Sequence, residues 1–102
     1  DGLFVAARLQ ESRYEGLVQG GGTAERDIVM RFVAATARSA VGYGDVVVTS
    51  GMSSLYPRGL VIGTVLEVQA RPYESSLELL VDPAIDFGRL EYVFVVGSGF
   101  NQ

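Results

Sequence analysis

At 102 residues, 48% apolar and 20% charged, the chain is long enough for one domain with a modest core and too apolar to be disordered. Its net charge of −4, from 12 acids against 8 bases that are all Arg, lacks the basic stripe that nucleic acid or an anionic lipid surface requires. Cys, His and Lys are all absent, which excludes disulfides, thiolate zinc and thiol catalysis and removes the usual general bases.

Residues 3–9 read as a first strand, with Phe4 and Ala6 on one face and Leu3, Val5, Ala7 and Leu9 on the other. Glu11-Ser12-Arg13 interrupts it, and residues 14–19 resume as a second strand, giving a hairpin with Gly16 near the turn. The Gly20-Gly21-Gly22 run is a loop, because three glycines carry a large ordering cost in any regular element. A phosphate cradle would need a buried strand before it and a helix after it; the residues after Gly22 are instead acidic and then strand-like.

In residues 26–32 the alternation of Ile28, Met30 and Phe32 with Asp27, Val29 and Arg31 predicts a half-buried strand with Phe32 in the core. Residues 33–40 read as a linker or short extended segment. Residues 45–49 form a strand, residues 51–59 a structured turn, and residues 60–68 a longer strand in which Gly63 marks a bend or close backbone approach. A polar connection over 71–76 leads to a strand over 77–82 that ends at Pro83. Asp86 caps a helical turn over 86–90, and residues 92–96 are a last apolar strand. Phe87 and Phe94 are expected in the core, and residues 97–102 as a frayed tail. About six or seven short strands with one short helical turn predict an all-β fold, a small β-barrel.

Acid pairs occur at Asp82 and Asp86, Glu74 and Glu78, and Glu11 and Glu15, but proximity in sequence does not make the sugar-sized cleft of a glycan hydrolase. Thr49, Ser50, Ser53 and Ser54 have no His or Lys to activate them, so their hydroxyls are better read as partners for turn amides. No catalytic, cofactor-binding or metal-binding residue emerges. The turn of residues 52–58 is the expected protein-binding surface, through Met52, Leu55, Tyr56 and Arg58, while Gly51, Pro57, Gly59 and Gly63 shape the backbone. Tyr56 is either an exposed anchor for a partner or a plug over the barrel mouth. Tyr43, Tyr73, Phe87 and Tyr92 are further aromatics for a peptide- or glycan-binding surface.

Gly44-Asp45, Thr49-Ser50-Gly51, Pro57-Arg58-Gly59-Leu60, Gly63-Thr64-Val65, Asp82-Pro83-Ala84-Ile85-Asp86-Phe87 and Leu90-Glu91 together resemble the bacterial cell-shape family MreC. So does Glu11-Ser12-Arg13-Tyr14-Glu15-Gly16, which is similar to a family hairpin ending in glycine. The resemblance runs from about Phe4 to Val96, with Met52-Ser53-Ser54 standing where the family often has a more glycine-rich turn. It implies that the chain, which starts at Asp1, is the C-terminal part of a periplasmic β region in a longer protein held to the inner membrane by an N-terminal anchor. Residues 1–40 would then supply strands of a first small barrel and residues 41–96 a C-terminal barrel portion, in one compact unit.

The resemblance further implies a non-catalytic scaffold for lateral peptidoglycan growth. Its partners would be a class B penicillin-binding transpeptidase, the membrane protein MreD and further copies of itself, as a dimer or filament. An unpaired edge strand of an incomplete barrel is a second expected contact surface. Two other classes remain open: a carboxylate-dependent glycan hydrolase, and a ligand-binding β-barrel module of an envelope export adaptor, which would need a defined pocket rather than a filled interior.

Overall fold

The computed structural model describes residues 4–19, 28–51, 57–70 and 74–84. Six strands run in order: β1 (Phe4–Leu9), β2 (Glu15–Gln19), β3 (Ile28–Ala34), β4 (Val46–Thr49), β5 (Val61–Ala70) and β6 (Ser76–Pro83). Each pairs antiparallel with two neighbours in the cyclic order β1-β2-β3-β6-β5-β4, which closes a barrel. The fold is all-β, and a single 3-10 helix at Ala35–Ser39 is the helical element of the described residues. The helical turn and strand expected over 86–90 and 92–96 lie outside the described residues, as do Phe87 and Phe94.

Closure rests on the β1–β4 ladder, in which Ala7, Arg8 and Leu9 face Thr49, Val48 and Val47. An incomplete barrel with a free edge strand is therefore not what forms: every described strand is paired on both sides. Closure satisfies backbone groups that an open sheet of Val-rich strands would leave to aggregate. The interior is filled by one continuous cluster to which β1 gives Val5, Ala7 and Leu9, β3 gives Ile28, Met30 and Val33, and β6 gives Leu77, Leu79 and Val81. Strict alternation produces these inward faces on β1 and β6.

On β3 the alternation breaks. Met30 pairs with Leu79 and Val33 with Leu77, so Arg31 and Phe32 together oppose the single residue Glu78. This β-bulge slips the inward set by one residue, from 28, 30, 32 to 28, 30, 33. Phe32 is consequently 63% exposed, with φ at +67°, rather than in the core. The segment expected as a linker over 33–40 divides between the end of β3 and the 3-10 helix, whose Ala37 is fully buried in the core. Its alanines are small enough to pack a tight turn against the strand ends.

Two glycines sit where backbones touch. A Cβ on Gly63 would lie 2.2 Å from the Asp82 carbonyl oxygen, and one on Gly16 would lie 2.6 Å from that of Arg31. Gly16 therefore serves the approach of β3, while the positive φ of the β1–β2 turn falls on Arg13, at +73°. Gly63→Ala is expected to destabilise the protein by about 3 kcal/mol, since only backbone movement can relieve the clash. Gly42→Ala, whose Cβ would meet nothing within 4 Å, is expected to change stability by under about 0.5 kcal/mol. Urea unfolding of the two variants compares them directly.

Candidate functional site

The loop after β4 is pinned at its base by one side chain. Thr49 is fully buried, and its hydroxyl donates to the Pro57 carbonyl at 2.5 Å while accepting from the Leu60 N–H at 2.8 Å. Its backbone adds two more bonds: the Gly59 N–H donates to the Thr49 carbonyl, and the Thr49 N–H to the Leu60 carbonyl. Gly51 and Gly59, at φ of +78° and +90°, turn the chain at the two ends of the loop. Gly51 also packs closely, since a Cβ there would lie 3.0 Å from that of Arg58. Pro57 and Arg58 are exposed. Met52, Leu55 and Tyr56 lie outside the described residues.

Adjoining this base is a groove that periodicity does not reveal. Ser50 donates its N–H to the Ala6 carbonyl, which joins the loop to the outer wall of β1. From there a groove of about 300 Å³ crosses Ala6, Ala7, Gly16 and Leu17 to Phe32, with Glu15 at its side. Leu17 is 36% exposed, and it lies opposite both Ala6 and Arg31 in the ladders. Beside the groove, Arg31 donates to Gln19 at 3.0 Å and forms an ion pair with Glu78 at 2.5 Å. A half-exposed pair of this kind contributes under about 1 kcal/mol; its consequence is that the Arg31 charge is already engaged.

Tyr43, at 82% exposure, belongs to the other end of β4 from the loop. It tops a turn in which the Gly42 N–H donates to the Asp45 carboxylate and the Asp45 N–H to the Gly42 carbonyl. Tyr73 and Tyr92 lie outside the described residues. Of the acid pairs, Glu78 is bound to Arg31, Asp82 is exposed at the end of β6, and Asp86 lies outside the described residues. Among the described residues no cluster of three or more His, Cys, Asp or Glu side chains is placed to hold a metal ion. What the described surface offers is an apolar groove contiguous with a pinned loop, a geometry suited to protein contact.

The Thr49 pin makes a direct prediction. Thr49→Val keeps the shape and leaves the Leu60 N–H and Pro57 carbonyl without their hydroxyl partner, which should cost about 1–3 kcal/mol. Limited proteolysis should then show faster cleavage between residues 50 and 60, while the β1–β2 hairpin stays protected from hydrogen exchange.

Comparison with known proteins places the chain. Residues 2–97 match the family model described as rod shape-determining protein MreC, barrel core. The cell shape-determining protein MreC of Bacillus subtilis (strain 168) is 31% identical over 85 residues, covering 83% of this chain and 29% of that protein. The chain thus spans under a third of the length of this curated relative. A solved MreC structure superposes with a TM-score of 0.74 at 23% identity, over 84% of this chain and 47% of that one. MreC from Helicobacter pylori, solved in complex with penicillin-binding protein PBP2, gives a TM-score of 0.68 at 18% identity, over 81% and 49% of the two chains. The chain belongs to the MreC family of rod shape-determining proteins and carries that family's barrel core.

Proposed function

We propose that this chain is the barrel module of a non-catalytic periplasmic scaffold that organises the machinery of lateral peptidoglycan growth through protein–protein contacts. The observation that carries this reading is the form of the barrel: a filled interior, with its recess on the outer wall beside the loop base that Thr49 pins. A filled barrel holds no internal ligand, so contact with other molecules falls to the surface. That also weighs against a ligand-binding module of an export adaptor. The whole sequence contains no His, Cys or Lys to activate a nucleophile, which supports a structural rather than catalytic role.

The partner favoured first is a class B penicillin-binding transpeptidase, by analogy with the Helicobacter pylori relative that was solved with PBP2. MreD and further copies of the protein, as a dimer or filament, complete the proposed set, with an N-terminal anchor holding the whole to the inner membrane. Met52, Leu55, Tyr56 and Arg58 of the loop are proposed contact residues.

Binding of the full-length protein to the purified extracytoplasmic region of the transpeptidase, read by interferometry, tests the proposal. Tyr56→Ala is expected to leave unfolding cooperative and to weaken binding about tenfold. A collapsed melting transition with undiminished binding by the folded fraction would make Tyr56 a plug over the barrel. Absence of binding by the unaltered protein would remove the transpeptidase from the proposal.

A further inference from the structure

We draw no further inference here: the strongest candidate, the apolar groove that Ala6, Leu17 and Phe32 line on the outer wall of β1–β3, has its lining charge Glu15 opposite Arg8 in the β1–β2 ladder, and nothing in the structure shows what covers it.

Discussion

Six short strands close around a narrow core only if two backbones pass where no side chain fits. Gly63 lets β5 run against the Asp82 carbonyl, and Gly16 lets the bulged part of β3 lie over β2. The first contact keeps β5 against β6 as β5 turns from its β4 ladder, and the second sets the register that sends Met30 and Val33 inward. With both in place, β1 meets β4 and the sheet has no described edge. The surface features depend on this closure, since Ala6, Leu17, Phe32 and Ser50 adjoin only because four strands have curled together.

The same geometry separates stability from presentation. The interior is aliphatic, fully buried and continuous, and it supplies the driving force for folding. Ala6, Leu17 and Phe32 on the outer wall lie outside that core. Thr49 links the two: its backbone belongs to β4, while its hydroxyl fixes where the loop returns at Pro57 and Leu60.

How far the fold is legible in the sequence depends on whether a feature is local. The alternation of Val5, Ala7 and Leu9 and that of Leu77, Leu79 and Val81 emerge from period two alone, and the all-β barrel is built from such runs. Periodicity misplaces Phe32 because a bulge adds one residue without changing composition, so 28, 30, 32 looks as regular as the true 28, 30, 33. The 3-10 helix at Ala35–Ser39 is hidden because it has no side-chain cap at its start. Gly16 looks like a turn residue by its position, and only the register with β3 reveals its packing role. The groove has no sequence signature at all, being assembled across four strands.

The claim on which the account turns is that partners engage the wall from the pinned loop to Phe32 rather than the barrel at large. Hydrogen–deuterium exchange of the full-length protein, with and without the transpeptidase's extracytoplasmic region, tests it most directly. Added protection is expected in residues 6–7, 15–17, 31–32 and 50–60, with exchange unchanged in β5 at residues 67–70, which pairs with neither β1 nor β3. Protection concentrated on that stretch of β5, with residues 50–60 and the Phe32 bulge exchanging as before, would contradict it.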